Sequence, residues 1–118
     1  MRKTPIQTKS LHYAKRVVTI YKSLMYDKKE FILSRQFLKS GTSIGANIEE
    51  AVGSQSRKQF ISKMYISYRE ARESRYWITL LKDGDYINKN IYKELMIDAN
   101  ELCKLIGTAI KTAKSNTP

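Results

Sequence analysis

Histidine, cysteine and clustered carboxylates are the side chains that most often carry catalysis or hold metal, and this 118-residue chain has few of them. A nucleophile needs a base within reach, and the single histidine is His12, on a stretch with no partner for it. The single cysteine, Cys103, recurs among apolar residues at helical spacing, where it reads as a small buried hydrophobe. One His and one Cys offer no metal-ligand spacing. Carboxylates gather as Glu49 with Glu50, Glu70 with Glu73, and Glu94 with Asp98 and Glu101, but none carries the Glu-x-x-His partner of di-metal bundles. Residues 41–45, GTSIG, run inside a helical pattern and make no phosphate loop. No catalytic residue, metal ligand or cofactor is therefore expected.

Binding is the remaining chemistry. Twenty-two Lys and Arg against eleven Asp and Glu give a net charge of +11, a balance that favours polyanions: nucleic acid first, an anionic membrane second. Residues 1–29 hold eight of the cations against one Asp, so +7 is concentrated there. Lys15, Lys22 and Lys29 repeat every seven residues, and Arg2, Lys9 and Arg16 repeat every seven one position further round, which draws a basic stripe on a helix. Lys3 in the arm, Lys28 in the first turn, and Arg57 with Lys58 at the start of the third helix add clusters. Such a stripe suits phosphate contacts, which are sequence-independent and salt-sensitive. The competing readings are a basic surface that serves solubility, or a scaffold whose partner is an acidic protein.

The elements that must position these residues are helices. Hydrophobic residues make up 42%, enough for one domain's core at this length, and the two prolines, Pro5 and Pro118, leave the interior free of breakers. An arm is expected over residues 1–7, then a helix from Thr8 or Ser10 whose inward stripe is Leu11, Ala14, Val18, Tyr21 and Met25. Asp27-Lys28-Lys29 is a turn. The second helix is expected from Glu30 to Val52, with Ile44, Ile48, Ala51 and Val52 inward, and Gly53 in position for a left-handed end. Ser56 caps a third helix from Arg57 to Lys82, along which Phe60, Met64, Ser67, Ala71, Ser74, Ile78 and Leu81 form a seam small enough to approach the glycines of the second. Asn88 caps a fourth, with Tyr92, Met96, Ala99, Cys103, Ile106, Ile110 and Ala113 in one inward stripe that Leu95, Leu102 and Ala109 widen, before residues 115–118 fray. Short connections predict an all-α, antiparallel up-down four-helix bundle as a single domain. No apolar run approaches the roughly 20 residues that span a bilayer, the lone cysteine fits a reducing cytoplasm, and the first helix spends its apolar face on the bundle rather than on a membrane surface, so no membrane partner is expected.

Gly41 and Gly45 lie one turn apart in the second helix, each costing about 1 kcal/mol relative to Ala, so a close neighbour is expected to offset them. Beside them Arg35, Lys39, Ser43, Asn47 and Glu50 trace a polar seam. Glu70 and Glu73 repel each other one turn apart and need a cation, with Arg35, Lys39 or Arg69 in reach of an intra-bundle or inter-subunit network.

These residues also carry a resemblance. Asn47-Ile48-Glu49-Glu50, then Ser56-Arg57-Lys58-Gln59-Phe60, then Glu70 through Leu81 with its Tyr76-Trp77, resemble the bacterial four-helix bundle proteins encoded in 23S ribosomal RNA intervening sequences, over about Phe31 to Ile87. Asn47, Ile48, Glu50, Phe60, Glu70, Glu73, Tyr76 and Trp77 match the family pattern, whereas Glu49, Ala51 and Gln59 replace its common Ala, Gly and Glu. The resemblance implies a ring-like homopentamer. It also implies similarity to the accessory protein of diversity-generating retroelements, which associates with a reverse transcriptase and nucleic acid.

Overall fold

A computed structural model describes residues 3–116, so Arg2 lies outside the described residues. Four helices follow one another: α1 (Pro5–Tyr26), α2 (Leu33–Val52), α3 (Arg57–Asp83) and α4 (Lys89–Ser115). Their ends are set by local chemistry, and two of them correct the expected boundaries. α1 starts inside the expected arm because Thr4 and Gln7 form a capping box: the Thr4 hydroxyl accepts from the Gln7 amide at 3.3 Å and the Gln7 side chain accepts from the Thr4 amide at 2.9 Å. Pro5 then sits at the first helical position, where its fixed φ is an advantage and its missing N–H costs nothing.

α2 starts later than expected. Lys29 adopts a left-handed φ of 55°, and the Glu30 carboxylate turns back to accept from the amides of Ile32 (3.3 Å) and Ser34 (2.7 Å), so Glu30 acts as a cap outside the helix. Gly53 closes α2 at φ −87°, not in the left-handed region expected of it. Ser56 and Asn88 cap α3 and α4 as the sequence indicates, accepting from the amides of Gln59 and Ile91.

Neighbouring helices run antiparallel. Arg57 meets Asn116 and Arg75 meets Asn100 across α3 and α4, while Lys9 meets Glu101 and Arg16 meets Glu94 across α1 and α4. The bundle measures 51 × 24 × 20 Å. Its core holds Phe37, Ile44 and Ile48 of α2, Met64, Ala71, Ile78 and Leu81 of α3, and Leu95, Ala99, Leu102 and Ile106 of α4.

α1 buries a different stripe from the expected one. Ser10, Tyr13, Val17 and Leu24 face the core, and Leu11, Ala14, Val18, Tyr21 and Met25 fall one position round, with Leu11 46% exposed. Two contacts decide the rotation. The Tyr13 hydroxyl crosses the bundle to Ser74 of α3 at 2.5 Å, and Val17 lies against Gly41, where an added Cβ would come within 2.7 and 2.8 Å of the two Val17 methyls. The glycines of α2 are thus approached by α1, not by α3 as residue size suggested. α3 reaches α2 through a different device, the Ser67 hydroxyl donating to the Ile44 carbonyl at 2.8 Å. Val52, expected inside, is exposed.

Candidate nucleic-acid interface

The basic stripe of α1 divides in two once α4 is beside it. Arg16 donates to Glu94 at 2.6 Å and to Asp98 at 3.3 Å, and Lys9 reaches Glu101 at 2.5 Å, so the carboxylates considered above as metal ligands instead offset these cations. Among the described residues no group of His, Cys, Asp and Glu is gathered to hold a metal ion. Lys15, Lys22, Lys28 and Lys29 remain exposed and form no ion pair among the described residues, and Lys3 is exposed in the short lead to α1. Arg57 is spent on structure: it donates to the Asn116 carbonyl at 2.6 Å, at the C-terminal end of α4 where a helix favours positive charge. Lys58 beside it is exposed and forms no ion pair among the described residues.

The polar seam of α2 is a solvated edge, not a buried network. Asn47 donates to the Ser43 carbonyl of its own helix at 2.9 Å, and Glu50 pairs with Lys63 of α3 at 2.9 Å in the open. Arg35, Glu70 and Glu73 make no ion pair among the described residues. Partial burial, then the neighbouring Glu73, raise the Glu70 carboxyl above its ordinary range, opposed more weakly by Lys39 and Arg69. The expected cations are near Glu70 without closing on it.

A second basic surface lies between α3 and α4, on residues the charge count of the first helix did not single out. Tyr65, Tyr68, Arg72 and Arg75 follow one another at steps of three, four and three on α3; Lys104, Gly107, Lys111 and Lys114 do the same on α4. Antiparallel packing faces the two rows across a groove of about 600 Å³ lined by Tyr65, Tyr68, Gly107, Ile110, Lys111 and Lys114. Lys114 donates to the Tyr65 hydroxyl at 3.1 Å, which sets its ammonium 5.5 Å from the ring centre at the hydroxyl edge, and the Arg72 guanidinium is 5.9 Å from the Tyr68 ring centre. Further along, Arg75 donates to Asn100 at 2.9 Å. Arg75 and Arg72 also bear on the buried Cys103 thiol, pulling against the burial that pushes its pKa up. Among the described residues none of these five cations is in an ion pair.

The model of the family described as 23S rRNA-intervening sequence protein matches residues 2–108, well beyond the stretch that the motifs alone cover. Among solved structures, the chain is similar to a protein of unknown function from the S23 ribosomal protein family of Bacteroides thetaiotaomicron VPI-5482. The two are 46% identical with a TM-score of 0.88, over 90% of this chain and 98% of that one. No curated protein matches the chain.

Proposed function

The chain belongs to the 23S rRNA-intervening sequence protein family, and from that premise we propose that it is a non-enzymatic, cytoplasmic bundle that self-assembles and binds RNA or DNA through phosphate contacts. The observation that carries the binding is the set of exposed cations that form no ion pair among the described residues: Lys15, Lys22, Lys28, Lys29 and Lys58, together with Arg72, Lys104 and Lys111 across the α3–α4 groove. Charges already offset inside the chain add little to a polyanion's field; unpaired ones add fully. Lys9 and Arg16 therefore carry less of the binding than their place in the stripe suggests. Self-assembly is supported by exposed Tyr26, Phe31 and Ile32 around the α1–α2 turn and by exposed Tyr76 on α3, apolar surface that a subunit contact would cover. The family resemblance favours a pentamer.

Binding of a labelled RNA and DNA, followed against salt, tests the reading. Affinity should fall linearly on a log–log plot, and Lys15→Gln with Lys22→Gln should flatten the slope by about one to two, whereas Lys9→Gln with Arg16→Gln should change it less. Light scattering should report an oligomer, five-fold by expectation, and a monomer of 13.7 kDa would remove the assembly half of the proposal. Absence of binding to either nucleic acid at low salt would leave an acidic protein as the partner.

A further inference from the structure

We infer that the groove between α3 and α4 holds an unpaired nucleobase, so that the chain prefers single-stranded RNA or DNA to duplex. This rests on the nucleic-acid reading above and adds to it the form of the ligand.

Phosphate contacts alone require only cations, and cations alone would sit on any convex face. This groove has a different make-up. Its walls are the Tyr65 and Tyr68 rings and the Ile110 side chain, and the backbone of Gly107 leaves the space between them open: a methyl group there would meet only Tyr68 Cε1, at 3.7 Å. Its volume of about 600 Å³ is within the range that accepts a small organic molecule. Lys111 and Lys114 stand among the lining residues, Arg72 lies beside Tyr68, and no lining residue is a carboxylate. The fitting ligand therefore has a flat apolar body with negative charge attached to it, and a nucleotide has that form.

The rows also have the right direction. From Lys104 to Lys114 the helix rises about 15 Å, the length of roughly four phosphates at the ~3.4 Å spacing of one stacked strand. A cation stands beside each tyrosine, Lys114 at the hydroxyl edge of Tyr65 and Arg72 5.9 Å from the Tyr68 ring centre, so a phosphate held by Lys114 or Arg72 brings its own base to the neighbouring aromatic wall. Bases inside a duplex are stacked and paired and cannot enter; the bases of a single strand can, and base–aromatic stacking tolerates any sequence.

Fluorescence anisotropy at matched salt, with a labelled strand of about twenty uridines and a duplex of equal length, tests this. The wild type should bind the single strand about tenfold more tightly. Gly107→Leu fills the groove without removing a cation, and Tyr65→Ala removes an exposed wall; each should weaken single-strand binding about tenfold, the scale of one base–aromatic stack, and leave duplex affinity and the salt slope unchanged. Circular dichroism checks the fold, and Tyr65→Ala keeps the test decisive if Gly107→Leu fails to fold. Equal affinity for strand and duplex, or single-strand binding that neither variant changes, overturns the inference while leaving phosphate binding in place. Failure of the wild type to bind either nucleic acid at low salt overturns the function reading and this inference with it. Phosphatidylglycerol vesicles binding more tightly than the single strand, with the same sensitivity to both variants, would assign the groove to a lipid and overturn it.

Discussion

Replacing Gly41 by alanine is the sharpest test of how α1 and α2 cross. In most helices the change stabilises by about 1 kcal/mol, since alanine loses less backbone freedom on folding. Here the new Cβ would come within 2.7, 2.8 and 3.2 Å of the Val17 methyls and Cβ, and Val17 is fully buried. A β-branched side chain has one favoured rotamer in a helix, so Val17 cannot swing clear and the helices must move apart. Overpacking of this kind costs about 1–3 kcal/mol, and contacts below 3 Å to both methyls of a fully buried side chain place it in the upper half of that range, so against a propensity gain of about 1 kcal/mol Gly41→Ala is destabilised by about 1–2 kcal/mol. For a domain of this size that is a fall in Tm of several degrees. Gly107→Ala is the matched control, because its methyl group meets ordinary van der Waals space at 3.7 Å and should realise most of the propensity gain. Adding Val17→Ala to Gly41→Ala removes the clashing methyls, so the double variant should show a favourable coupling of about 1 kcal/mol or more against the sum of the singles. Urea unfolding followed by circular dichroism reads all four. A Gly41→Ala protein as stable as wild type, or raised in parallel with Gly107→Ala, would refute the close crossing.

Two further outcomes follow from buried or crowded polar groups. Burial and Glu73 raise the Glu70 carboxyl, so the stability it contributes is present below the unfolded glutamate pKa of about 4.3 and is lost as pH rises through the higher folded value. Glu70→Gln should accordingly stabilise near neutral pH by about 0.2–0.5 kcal/mol, the scale of a like-charge pair one turn apart, with the difference vanishing in acid; a neutral-pH loss in thermal melts would mean that Lys39 holds Glu70 favourably. Tyr13→Phe strips the buried Ser74 hydroxyl of its partner and should cost about 1–3 kcal/mol, while Tyr13→Phe with Ser74→Ala should recover part of it; equal stability of the single and double variants in urea would show that the pair does not act as a unit.

Much of the fold was legible in the chain itself, because helix ends and helix faces are written locally. Ser56 and Asn88 are caps by residue type and position, and the α3 seam from Met64 to Leu81 repeats at the helical period, so both could be read without knowing what packs where. Thr4, Pro5 and Gln7 carried an equally local signal, a capping box with proline at the first helical position, that marks where α1 begins. The rotation of α1 was a different matter. Its two adjacent stripes are both apolar and both periodic, and only the hydroxyl of Ser74 and the bare backbone of Gly41, supplied by other helices, select Tyr13 and Val17 over Ala14 and Val18. The candidate site divides the same way. Sequence fixes how many cations there are and their spacing along each helix, which is why the basic character and the stripe of α1 were visible. Which cations remain free was decided by tertiary structure, since Glu94, Asp98 and Glu101 lie about eighty to ninety residues from Arg16 and Lys9 and neutralise them only when α4 lies beside α1. The α3–α4 groove has the same origin: Tyr65 and Lys114 are 49 positions apart in the chain, and a surface built from one row on each of two helices exists only after the helices pack.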